Sequence, residues 1–252
     1  MTDSATLKPA DVADACAALS GASGFWFTRR NLMFELCRRR AWPDPGAALE
    51  AAERDFAAAL AEHEAAHGRL DRLVRPEEAV AGVEPDELER YDLPADLFDY
   101  AIGRVALIER LDLCLMLIAN GFHRNIEVAL TVPPAFPSHV WARIQAELEQ
   151  PTDAGVRTTF IAIHDLHAGS AAWLDAVDAQ LGGYANAEIL PEGLTMPWVT
   201  RLRVKLRGGT RREPGQPPSA TSYAVLEELP PLRLLRWVYG RVSSGAEDVG
   251  FG

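Results

Sequence analysis

Residues 161–173 read IAIHDLHAGSAAW. Ile161 and Ile163 mark an apolar strand, Asp165 stands at its carboxyl end, and Gly169 permits a tight turn into the helix that follows. Ligands of open α/β sheets bind outside the carboxyl ends of the strands, so Asp165 is placed where chemistry is usually found. Glu109 closes Ala106-Leu107-Ile108 in the same way. Two acids at the ends of two parallel strands can share a divalent cation, because hard cations prefer carboxylate oxygens. The same residues also suit helix capping, Asp165 before the helix that follows it and Glu109 before one starting near Leu111.

Outward from that stretch, strands and helices alternate. Strands are expected over 105–108, 127–132, 158–164 and 187–190, and helices over 111–119, 138–148 and 171–181, which implies a mostly parallel sheet with flanking helices. Residues 199–207 alternate strictly, with Leu202, Val204 and Leu206 on one face and Arg201, Arg203, Lys205 and Arg207 on the other, the pattern of a half-exposed strand. A Gly/Pro-rich loop over 208–218 precedes a last helical stretch around Leu234, Leu235, Trp237 and Val238.

Ahead of the sheet, helices are expected over 10–19, 29–40 and 47–67, the second of them capped by Thr28, and residues 69–75 alternate loosely like a short β-ribbon. Three helices and a ribbon are the order of a winged helix. Residues 76–94 are acidic and proline-rich, which sets the boundary. The division expected is a winged-helix domain over 1–76, an acidic linker over 77–94, an α/β domain over 95–210, and a C-terminal loop and helix over 211–252.

Composition agrees with a folded chain. The 252 residues are 48% hydrophobic and 24% charged, which excludes wholesale disorder and fibrous repeats. The opening MTDSATLKPADVADACAAL lacks the basic n-region of a secretory leader. Glu109, Arg110 and Asp112 interrupt the most apolar stretch, so no membrane span is expected. Cys16, Cys37 and Cys114, an odd number without C-x-x-C, read as reduced core thiols, and the expected location is cytoplasmic.

The net charge of −11 argues against generic nucleic-acid binding, but it is unevenly spread. Residues 1–41 carry six basic and four acidic groups and residues 199–241 carry nine and three, whereas 42–110 carry seven and seventeen. Arg29, Arg30, Arg38, Arg39 and Arg40 form one basic island, and Arg201, Arg203, Lys205 and Arg207 a second. Both suit phosphate contacts, and both suit ordinary solvated faces.

The second domain resembles a Toprim domain, the metal-binding fold of topoisomerases, primases and several nucleases. That family ends its first strand in Glu and follows a later strand with an Asp-x-Asp-x-x-Gly-like turn. The matching residues are Glu109 in VALIER and Asp165, His167 and Gly169 in HDLHAGS. The stretch FTRRNLMFELCRR, residues 27–39, resembles the winged-helix half of the topoisomerase VI A subunit and its relatives, including the meiotic break-forming enzyme and the nuclease subunit of Wadjet plasmid defence. The resemblance implies a DNA-binding Toprim protein, a Mg2+ or Mn2+ cofactor held by Glu109, Asp165 and His167, metal-dependent hydrolysis of DNA phosphodiesters, and a homodimer or larger complex.

Two departures shape that expectation. Met33 and Phe34 stand where the cleaving topoisomerases carry two adjacent tyrosines, so no phosphotyrosyl intermediate can form on this helix. His167 stands where the family has its second Asp, and imidazole favours Mn2+, Fe2+ or Zn2+ over Mg2+. The alternative function is a non-catalytic Toprim and winged-helix subunit that binds or scaffolds within a larger complex. His164 points to the other strand face and reads as a packed histidine. A remote alternative is a zinc peptidase through His63-Glu64-x-x-His67, with Glu84 or Glu87 as third ligand.

Overall fold

The computed structural model describes residues 6–76, 103–126, 128–133, 138–149, 157–208 and 222–243. The chain divides into two compact units, residues 1–74 with 195–234 and residues 75–194 with 235–252.

The first unit begins with α1 (Pro9–Ser20), α2 (Arg29–Arg38) and α3 (Leu49–His67). Pro9 opens α1, where a missing N–H costs nothing. A reciprocal capping box starts α2: Asn31 N–H donates to Thr28 Oγ1 at 3.1 Å, and Thr28 N–H donates to Asn31 Oδ1 at 2.9 Å. Asn31 also donates from Nδ2 to the carbonyls of Glu227 and Leu229, tying α2 to the one-turn 3-10 helix Leu226–Glu228. Leu32, Met33, Phe34 and Leu36 are buried and join Phe27, Phe56 and Leu60 in one core. Met33 and Phe34 are therefore packing residues.

The first unit differs from the sequence expectation in three places. Residues 69–75 form no ribbon; Phe27 pairs with Leu73 in a single parallel bridge, through Phe27 N–H to Arg72 O and Val74 N–H to Phe27 O. The strand expected over 199–207 does not form: residues 199–202 belong to a helix, α8, Met196–Leu202. Proline in its first turn is compatible with a helix start. Arg203 ends it in the left-handed conformation (φ 57°). Arg207 then pairs with Tyr223 in one antiparallel bridge. Residues 195–210, expected in the sheet domain, are thus split from it at residue 194, and residues 195–208 belong to the first unit.

The second unit is an α/β layer. It runs β1 (Arg104–Ile108), α4 (Leu111–Ala119), α5 (Phe122–Ile126), β2 (Ala129–Thr131), α6 (Ser138–Leu148), β3 (Thr158–Ile163), α7 (Ala168–Leu181) and β4 (Ala187–Pro191). α9, Pro231–Ser243, begins in the first unit and continues into this one. All four strands are parallel, in the order β2-β1-β3-β4. Val105 to Ile108 and Phe160 to Ile163 are buried on both faces, as continuous apolar strands of a parallel sheet must be. Val105, Leu107 and Phe160 pack against Trp141, Ile144 and Leu148 of α6 and Val177 and Leu181 of α7. The core is Rossmann-like. The acidic linker expected over 77–94 lies outside the described residues.

Candidate metal centre

The strand order places the site. The chain leaves β1 toward β2 and returns past β1 to β3, so the order reverses between β1 and β3, and their carboxyl ends form the crevice where such sheets bind ligands. Ile108 pairs with Ile163, and Glu109 N–H extends the ladder to Ile163 O at 3.0 Å. Glu109 and Asp165 therefore leave neighbouring strands at the same level. Ligand atoms of Glu109, Asp165 and His167 all lie within 4.8 Å of one another. Asp165 is 1% exposed.

Hydrogen bonds hold the cluster in one arrangement. Glu109 Oε2 accepts from the Asp165 backbone N–H at 2.8 Å and from the Ser170 hydroxyl at 3.1 Å. Its Oε1 lies 3.4 Å from His167 Nε2. His167 is the N-cap of α7, where its Nδ1 accepts from Ser170 N–H at 3.2 Å. An accepting Nδ1 puts the ring proton on Nε2, facing Glu109. Binding a cation through Nε2 would oblige the ring to release Ser170. In the arrangement present, a cation fits the two carboxylates, with His167 as a donor beside them. The helix cap that sequence reasoning offered to Asp165 thus belongs to His167. Ser170 was missed, although it directly follows the Gly169 already singled out.

Gly169 leaves room for this ring. A Cβ there would stand 2.7 Å from His167 Cε1 and 2.9 Å from Nδ1. Gly169→Ala is expected to drive the imidazole off Ser170, losing a cap worth about 1 kcal/mol while gaining about 0.5–1 kcal/mol of helix preference. Stability should stay nearly level while the His167 ring resonances shift. A proton NMR spectrum and a urea titration check both halves. His164 is packed as expected: its Nδ1 lies 2.6 Å from Asp165 O, and its ring fills the space a Cβ on Gly193 would take.

The remaining candidates are dispersed. Arg30 is buried, ion-paired with Glu53 and 3.8 Å from Glu227, so it serves the interior of the first unit. Arg38 and Arg39 both bind Glu35. Arg201 stacks on Trp198, and Arg40 is exposed with φ 59°. Arg29 is half-buried at the start of α2. Arg207 is buried too, over the Phe34 ring and between Asp44 and Glu228, and Lys205 reaches Asp44 at 2.9 Å. These cations do not form the outer face of a strand.

Asp44 shows what that network does. Burial pushes its carboxyl up, but hydrogen bonds from Lys205, the Gly46 amide and Arg207 outweigh this and hold it well below the usual carboxylate range. A depressed carboxyl stabilises the fold above its unfolded pKa of about 3.9 and loses that contribution as pH falls toward the folded value. The stability difference between wild type and Asp44→Asn should therefore be constant above about pH 5 and shrink below pH 4, as read by urea unfolding across pH.

In the zincin-like motif, His63 is buried and His67 exposed, their rings 4.8 Å apart, and Glu64 Oε1 accepts Leu70 N–H. Glu64 is thereby engaged in closing the end of α3, and Glu84 and Glu87 lie outside the described residues. The cysteines are free thiols, and burial pushes Cys16 and Cys37 up to about 11. Among the described residues, no helix is long and apolar enough to cross a membrane. No protein-family model, curated protein or solved structure matches this chain.

Proposed function

We propose that the second unit is a Toprim-type divalent-cation centre that hydrolyses phosphodiesters of DNA, in a protein whose first unit is a variant winged helix. The observation that carries the reading is the convergence of Glu109, Asp165 and His167 at the β1/β3 switch point. Glu109 and Asp165 would hold Mg2+ or Mn2+, which when bound lowers the pKa of a coordinated water and offsets charge on the phosphate. The Asp165 amide and the Ser170 hydroxyl keep Glu109 oriented for that task. His167, whose Nδ1 is occupied as an acceptor, would donate a hydrogen bond from Nε2–H beside Glu109 toward the phosphate, while solvent water supplies the proton taken up by the departing oxygen. No phosphotyrosyl intermediate forms on α2, since Met33 and Phe34 are core residues there.

A second reading, a non-catalytic binding subunit of a larger complex, draws on the same geometry. His167 is already engaged as a helix cap, and most of the candidate DNA-contacting cations are engaged by acids. Nicking of supercoiled plasmid in Mg2+, Mn2+ or EDTA separates the two. Metal-dependent nicking by wild type and none by Asp165→Asn supports the hydrolase; no nicking by folded wild type in any metal supports the subunit.

A further inference from the structure

We propose that the first unit holds a second site, for the phosphate group of a nucleotide-sized ligand, in a cleft of about 430 Å3. The two basic islands of the sequence meet there. Arg38 of α2 lines the cleft together with Arg203, Lys205 and Arg207, and Arg233 of α9 joins them. Against these five cations stand two acids, Asp44 and Glu228.

The acids are already engaged. Asp44 takes Lys205 Nζ at 2.9 Å and Arg207 Nε at 3.1 Å; Glu228 pairs with Arg207 and accepts the Lys205 amide at 2.6 Å. Arg38 is bound by Glu35 and donates to Glu228 O at 2.7 Å. The surplus charge rests on Arg203 and Arg233, both exposed, with Arg233 Nη2 donating to Leu202 O at 3.3 Å. Arg207 forms a fixed floor, clamped between two acids and stacked on Phe34.

Guanidinium forks match phosphate oxygens two at a time, which point charges and carbonyl dipoles do not. Leu202, Val204, Leu229 and Pro230 supply an apolar wall, and the volume falls within the roughly 300–1,000 Å3 of small-ligand sites. A lone inorganic phosphate would leave that wall unused; a nucleoside monophosphate would cover it. The site lies wholly within the first unit and stands whether or not the second unit binds a cation.

Calorimetry of the full chain with AMP, adenosine, pyrophosphate and a short DNA duplex tests this, beside the double variant Arg203→Gln/Arg233→Gln. Both changes are at exposed positions, and circular dichroism verifies the fold. The expected result is binding of AMP and pyrophosphate but not adenosine, weakened about 100-fold in the double variant at roughly tenfold per charged contact. Binding of the duplex alone, weakened by the same factor, would assign the phosphate to a nucleic-acid backbone. Absence of binding by every phosphate probe, or equal binding by the double variant, overturns the proposal.

Discussion

Arg207→Ala is expected to cost the fold about 3 kcal/mol, near the lower end of what removing one partner from a buried ion pair costs. The side chain is 5% exposed, and its loss takes from Glu228, 10% exposed, its ion-pair partner and leaves Asp44 paired with Lys205. Asp44 is 39% exposed and can turn to water, which keeps the cost from rising further. The cation–π contact with Phe34 disappears as well. Arg207→Lys should recover only part of the loss, because an ammonium cannot span both carboxylates from one planar fork. Urea unfolding of the three proteins gives the order wild type, Lys, Ala. Equal midpoints for wild type and Ala would mean that the network adds nothing.

Glu109→Ala should have two effects that a conservative change separates. It deprives the Asp165 amide and the Ser170 hydroxyl of their acceptor, at about 1–3 kcal/mol for the buried groups. It also removes one of the two carboxylates offered to a cation, which should weaken Mn2+ binding by more than about 100-fold, since even outer-shell partners are worth about 10–100-fold. Glu109→Gln keeps an oxygen for the amide and should restore most of the stability without restoring ion binding. Recovery of both by Gln would show that Glu109 acts on the turn alone.

Much of the second unit was legible because β1 and β3 are short apolar runs closed by polar residues, and Pro133 and Gly193 follow soon after β2 and β4. The helices expected over 111–119 and 138–148 are Leu111–Ala119 and Ser138–Leu148. The Glu109 and Asp165 pairing was legible for the same reason, since Glu109 follows its apolar strand directly and Asp165 follows its own after His164. The tautomer of His167 was not, because it depends on Ser170 N–H arriving from the first turn of α7. Residues 199–207 misled through their alternation: a seven-residue helix is too short to display a 3.6-residue period, and Pro197 was the better guide. The Asp44 network had no local signal, for Asp44 sits in a turn and its partner Arg207 lies 163 positions later.

A cation held by the ends of β1 and β3 should be seen by calorimetric titration of Mn2+ into the full chain and its Asp165→Ala variant. The expected result is one site per chain in wild type, weakened more than about 100-fold in a variant that remains folded. Mn2+ binding of equal strength in both proteins, or none in wild type, would contradict it.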